Sequence, residues 1–165
     1  MSPEFRRSAE HHADIKKIIA YLQTRYGKKP VYLVAFSMSN ISAASIAAKS
    51  SDLKIAGIVF ISGVWKYALS NGTIAEYLSI AYPVLIVHHQ FDMCGYCQLD
   101  GTNYFYEHIK TRGRKDLVLV RGGSPYSKAD VCGPMHHHGY AGREDVVVKI
   151  IIDWMDGRKI PEVIK

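Results

Sequence analysis

Apolar positions recur along this chain in two rhythms. Over residues 8–26, Ile15, Ile18, Ile19 and Leu22 share one stripe, while Lys16, Lys17 and Gln23 lie off it. That spacing predicts an amphipathic helix with Ser8 as its N-cap. Gly27-Lys28-Lys29-Pro30 ends it. Residues 31–36 then form a short, nearly unbroken apolar run, the pattern of a strand buried on both faces. Residues 55–61 and 83–88 have the same character, and 117–120 is a shorter fourth run. Between them, residues 38–50 are rich in Ala and Ser, small enough for a helix to lie close against a sheet. Residues 102–111 carry Tyr104, Phe105 and Ile109 on one helical face, and 143–155 form a closing helix.

Helix and strand therefore alternate, which implies an α/β fold: a parallel sheet of about four strands with flanking helices. The pattern reads as one domain over residues 1–165, with no internal repeat. Three stretches interrupt it, at 62–81, 89–100 and 121–142. Each follows a strand. In a parallel sheet, loops at the carboxyl ends of the strands border the binding crevice.

Composition narrows the classes. Hydrophobic residues make up 48% of the 165 and charged residues 22%, an ordinary globular balance. No apolar run is long enough to cross a bilayer, and Met1-Ser2-Pro3-Glu4-Phe5-Arg6-Arg7 contains no apolar h-region of a signal peptide. The net charge of +6 is spread along the chain, densest at Lys110-Thr111-Arg112-Gly113-Arg114-Lys115. A short basic loop without aromatic readers does not make a nucleic-acid face, so neither nucleic acid nor a membrane is expected as a partner. Three cysteines, Cys94, Cys97 and Cys132, allow one bridge and one free thiol.

The chemistry enters at Ala35-Phe36-Ser37-Met38-Ser39. A serine at a sharp strand-to-helix turn is the nucleophile-elbow arrangement. Small residues are needed two before and two after it; Ala35 and Ser39 are small, although neither is the usual glycine. A buried helix N-cap explains Ser37 equally well when it is taken alone. Past the third strand comes His88-His89-Gln90-Phe91-Asp92-Met93-Cys94, and past the fourth Cys132-Gly133-Pro134-Met135-His136-His137-His138-Gly139-Tyr140. Serine, acid, histidine in that order is how this kind of sheet presents a catalytic triad. Asp100 competes with Asp92 as the acid, and His136 and His137 with His138 as the base. His88 and His89 close a buried strand, where packed imidazoles are expected.

On these residues the chain resembles the α/β-hydrolases, most closely a branch of small bacterial serine hydrolases. The resemblance rests on the elbow, on Pro83-Val84-Leu85-Ile86-Val87-His88-His89 with Asp92 and Cys94, and on Gly122-Gly123, Cys132-Gly133-Pro134 and His138-Gly139. It implies Ser37 as nucleophile, Asp92 as acid and His138 as base. Met38 would supply an oxyanion N–H, the substrate would be a small ester or related acyl compound, and no cofactor would be needed. Complete members have further strands and a second oxyanion donor before the elbow. Against that pattern this chain is expected to lack the N-terminal half. It would then leave its first strand as an exposed edge, open to a second copy or to the missing half. Loss of one oxyanion donor costs roughly 10²–10³ in rate, so weak activity or a purely assembling role is the alternative reading.

The resemblance also makes Trp65, Tyr67 and Tyr77, with Ile74 and Leu78, an apolar wall for an acyl group; the same residues fit a satellite core beneath a long loop. If the loops carrying Asp92 and His138 meet, Cys94 and Cys132 would form a disulfide that clamps them, which would favour an oxidising, extracytoplasmic setting. Cys94-x-x-Cys97 and the histidine run contain zinc-ligand types, but a lone pair of cysteines lacks the second pair of a structural site, and no metal is expected.

Overall fold

A computed structural model describes residues 1–27, 29–126 and 128–164. It is α/β, with a five-stranded parallel sheet flanked by helices. Helix α1 (Pro3–Arg6) leads into α2 (Ala9–Tyr26), which Ser8 caps by accepting the His11 N–H and Gly27 closes at φ 70°. Lys28, part of the expected stop, lies outside the described residues. Then come β1 (Tyr32–Phe36), α3 (Ser39–Lys49), β2 (Gly57–Ile61) and α4 (Trp65–Ser70). A 3₁₀ turn at Ile74–Tyr77 precedes β3 (Ser79–Ile80) and β4 (Val84–His89). Next are α5 (Leu99–His108), β5 (Lys110–Thr111) and β6 (Lys115–Val120); a 3₁₀ turn at His137–Gly139, α6 (Glu144–Met155) and β7 (Val163–Ile164) complete the chain.

The main sheet runs β1-β2-β4-β6-β7, every pair parallel. β3 and β5 make a separate two-stranded pair. Period-two alternation splits the central strands between two cores. Ile58, Phe60, Val84 and Ile86 face α2, α3, α4 and α5, while Val59, Ile61, Leu85 and Val87 face Val147, Ile150, Ile151 and Trp154 of α6.

Asn40 through Ala47 of α3 are all buried, because α1 and α2 cover the face of α3 that the sheet does not. The helix's serines find partners there: Ser42 meets His11 at 2.9 Å and Ser45 meets His12 at 3.1 Å. α6 meets β1 at Tyr32, whose hydroxyl donates to the Met155 carbonyl at 2.9 Å. Val34 and Phe36, on the same face, stay 53% and 42% exposed.

Several features depart from the sequence expectation, the first being β1, which was read as buried on both faces but leaves Val34 and Phe36 open because α6 does not extend over them. The helix placed at 102–111 starts three residues earlier, at Leu99, and stops at His108, because Lys110 and Thr111 are drawn into the pair with β3. The stretch 62–81 is not a plain loop but holds α4, a 3₁₀ turn and β3. The sheet has a fifth strand, β7, two residues long and too brief to leave a periodic signal.

Candidate active site

Ser37 sits between β1 and α3 with φ 52°, a left-handed backbone conformation that costs a non-glycine residue energy and that neighbouring bonds must hold. Three contacts hold it. Its N–H donates to the Ile61 carbonyl at 2.9 Å. The buried Asn40 amide donates both to the Ser37 carbonyl at 2.7 Å and to the Ile61 carbonyl at 3.0 Å. Ser39 folds back on β1, its hydroxyl donating to the Phe36 carbonyl and accepting the Phe36 N–H, both at 2.7 Å. Met38 occupies the N-cap position of α3, directly after the serine.

The structure brings Ser37, Asp92 and His138 together from three different strand ends. His138 Nε2 lies 3.0 Å from Ser37 Oγ, and Nδ1 lies 2.9 Å from Asp92 Oδ2. The Asp92 and His138 side chains are 0% and 1% exposed, while Ser37 remains half-buried. The other Asp92 oxygen accepts the Cys94 N–H at 2.9 Å, so a buried carboxylate has a donor on each oxygen.

The loops carrying Asp92 and His138 are joined by a Cys94–Cys132 disulfide, with the two Cα atoms 4.7 Å apart. Gly139, immediately after the histidine, has no room for a side chain: a Cβ there would meet the Pro134 carbonyl oxygen at 2.2 Å.

Sequence reasoning missed Asn40, Ser62 and Tyr140. Ser62, at the end of β2 with φ 45°, donates its hydroxyl to the His138 carbonyl at 2.8 Å. Tyr140 donates to the Val87 carbonyl at 2.8 Å, and the two hydroxyls lie 3.1 Å apart. Burial pushes the Tyr140 phenol upward, so it stays a donor at any ordinary pH. These groups fix the histidine loop by its backbone. Ser62 directly follows an apolar run, but Tyr140 follows a run of histidines and a glycine, and neither position marks the contact it makes.

The rival residues lie elsewhere. Asp100 is exposed on α5 and pairs with Lys66. His137 stacks on His89 with ring centroids 4.2 Å apart, and its Nδ1 lies 3.1 Å from the Phe91 carbonyl. His136 is buried, and its Nδ1 has no partner among the described residues. His89 donates from Nε2 to the Gly122 carbonyl and accepts the Phe91 N–H on Nδ1, a neutral imidazole that burial keeps neutral. His88 is buried as well, 3.2 Å from the Thr102 hydroxyl, and burial pushes it down to about 4.

Trp65 and Tyr77 are fully buried in the main core, with Trp65 stacked on Phe105 at 3.7 Å. Of the expected acyl wall Tyr67 and Leu78 are partly exposed, Tyr67 edge-on to Tyr96 at 5.8 Å.

Cys97 is buried beside Ser37, Asp92 and His138. Burial, followed by the Asp92 carboxylate, pushes its thiol up to about 12, with the Ser37 hydroxyl acting in the opposite direction. No helix among the described residues is long and apolar enough to cross a membrane. No protein-family model matches the chain, and no curated protein matches it.

Proposed function

We propose that this chain is a serine hydrolase of the α/β-hydrolase type, cleaving a small ester or related acyl compound through an acyl-Ser37 intermediate. The observation that carries this reading is the hydrogen-bonded chain from Ser37 Oγ through His138 to Asp92, anchored on a positive-φ serine between strand and helix. A serine hydroxyl is a poor nucleophile until a neutral imidazole takes its proton. His138 Nε2 faces Ser37 Oγ and accepts that proton as Oγ attacks the acyl carbonyl. Asp92 holds the proton on Nδ1, which keeps Nε2 free as the base and stabilises the imidazolium that forms.

The Met38 N–H, at the start of α3, donates to the developing oxyanion, with the helix dipole in the same sense. His138 then protonates the leaving group. In the second half it activates water, and the acyl group leaves as a carboxylic acid. None of these steps calls for a metal or organic cofactor. Turnover of a short-chain ester is the test. The wild-type chain hydrolyses it, and Ser37→Ala lowers kcat by at least about 10⁴-fold; equal rates would refute the assignment.

A second reading is an assembly module that is catalytically weak. It is favoured by β1, which has no strand on its outer side among the described residues and carries the exposed Val34 and Phe36. An apolar groove of about 410 Å³ runs beside this edge, lined by Ile15, Ile18, Leu22, Val31, Leu33 and Ala43 among others. Its occupant would be a second copy of the chain or an upstream half of the fold. Light scattering coupled to activity separates the readings: an inactive dimer supports assembly, and an active monomer removes it.

A further inference from the structure

Cys94, Cys97 and His138 each place a ligand atom within 4.8 Å of the other two, and all three residues are buried. Cys132 lies outside that group but is bonded to Cys94, so its sulfur is one S–S bond from the cluster and is freed beside it on reduction. Tetrahedral zinc has Zn–S bonds of about 2.3 Å and Zn–N bonds of about 2.0 Å, which puts neighbouring ligand atoms roughly 3.5–3.8 Å apart. The cluster already stands near that scale. His138 is also prepared as a ligand. Its Nδ1 is held by the Asp92 carboxylate at 2.9 Å, the outer-shell arrangement that orients metal-bound histidines and leaves Nε2 for the metal.

We propose that the reduced chain binds zinc through Cys94, Cys97, Cys132 and His138 Nε2, and that the Cys94–Cys132 disulfide closes this site. The steps balance. A dithiol or phosphine reductant breaks the S–S bond and is itself oxidised, leaving thiols on Cys94 and Cys132. Zinc then displaces the protons of the cysteine thiols to solvent as the Zn–S bonds form. Access is short, because Gly95 and Tyr96, between the two cysteines of the turn, are exposed.

In the bridged chain Cys94 has no thiolate to offer, so His138 stays with Ser37. In the reduced, zinc-loaded chain Nε2 is withdrawn from Ser37. If the hydrolase reading holds, on which this consequence alone rests, the enzyme is silent wherever reductant and zinc coincide.

The test is equilibrium dialysis against zinc, with cobalt(II) as an optical probe of tetrahedral thiolate ligation. It uses the chain before and after phosphine reduction, and the Cys97→Ser variant. The reduced chain should take up about one zinc per chain and give the intense visible cobalt spectrum, and the bridged chain should do neither. Cys97→Ser should weaken uptake by more than about tenfold, since even outer-shell losses reach that scale. No uptake by the reduced chain, or unchanged uptake by Cys97→Ser, overturns the inference. Should reduction unfold the chain, zinc must restore its circular dichroism, and failure to do so also overturns it. Labelling of the bridged chain by a fluorophosphonate reads the hydrolase proposal separately. A chain that labels but takes no zinc sinks only the zinc site, and the converse sinks only the hydrolase.

Discussion

Asp92 is the residue that ties the site's electrostatics to its covalent frame. One oxygen orients His138, the other accepts the Cys94 N–H, and Cys94 is itself bridged to the loop that carries His138. His88, four residues earlier, sets a pH dependence. Burial pushes it down to about 4, against 6.5 for an exposed imidazole, with Asp92 opposing and His138 and His89 adding smaller effects. The unfolded chain therefore takes up a proton between those values that the folded chain refuses. Stability is full above about pH 6.5 and falls as the pH drops towards 4, by about 3 kcal/mol from this residue. Burial shifts His12 and His89 the same way, so the comparison must be with a variant. Urea unfolding at pH 7 and pH 4.5 should show wild type losing about 2–3 kcal/mol more than His88→Gln; equal losses would contradict it. Ser37 was legible in the sequence from its place between an apolar run and a helix, whereas Asp92 and His138 were separated from Asp100, His136 and His137 only by the resemblance to α/β-hydrolases. Asn40, Ser62 and Tyr140 were not legible. They act on backbone carbonyls of residues up to 76 positions away, and no local pattern marks such a contact.

At the scale of elements, β-strand ends deliver the site and short turns fix it. The turn at His137–Gly139 packs its glycine against the Pro134 backbone, where an added Cβ would meet Cα at 2.3 Å and the carbonyl oxygen at 2.2 Å. Backbone cannot yield as a flexible side chain does. Gly139→Ala should therefore cost about 1–3 kcal/mol and lower hydrolysis by displacing His138. A thermal melt and ester kinetics check both effects, and an alanine variant matching wild type in each would contradict the packing account. The disulfide acts on the same elements. Closing a loop with a sequence separation of 38 removes chain entropy worth about 4 kcal/mol from the unfolded state. The four long strands and their helices were legible from apolar periodicity. α4 was not, since its six residues give fewer than two turns of pattern, and β7 is shorter still. Trp65 and Tyr77 fitted a pocket wall as well as a core in sequence, because both roles ask for large apolar side chains; burial places them in the core.

For the whole molecule, the uneven cover of the sheet is the governing feature. Among the described residues α1 to α5 lie on one side of the sheet and α6 alone on the other, so the β1 side keeps Val34 and Phe36 exposed beside an unpaired edge. Unpaired apolar edges template association. Sedimentation velocity across a concentration series should show self-association of wild type, and Val34→Lys should shift the chain to monomer; a wild-type monomer at every concentration would contradict this. The expectation of an exposed first strand came from resemblance rather than periodicity, since an apolar run reads alike at an edge and at a centre. The central claim remains that Ser37 is an activated nucleophile, and intact-mass spectrometry after treatment with a fluorophosphonate probe tests it most directly. The account predicts a single adduct on the wild-type chain and none on Ser37→Ala. An unlabelled wild type, or an adduct that persists in Ser37→Ala, would contradict it.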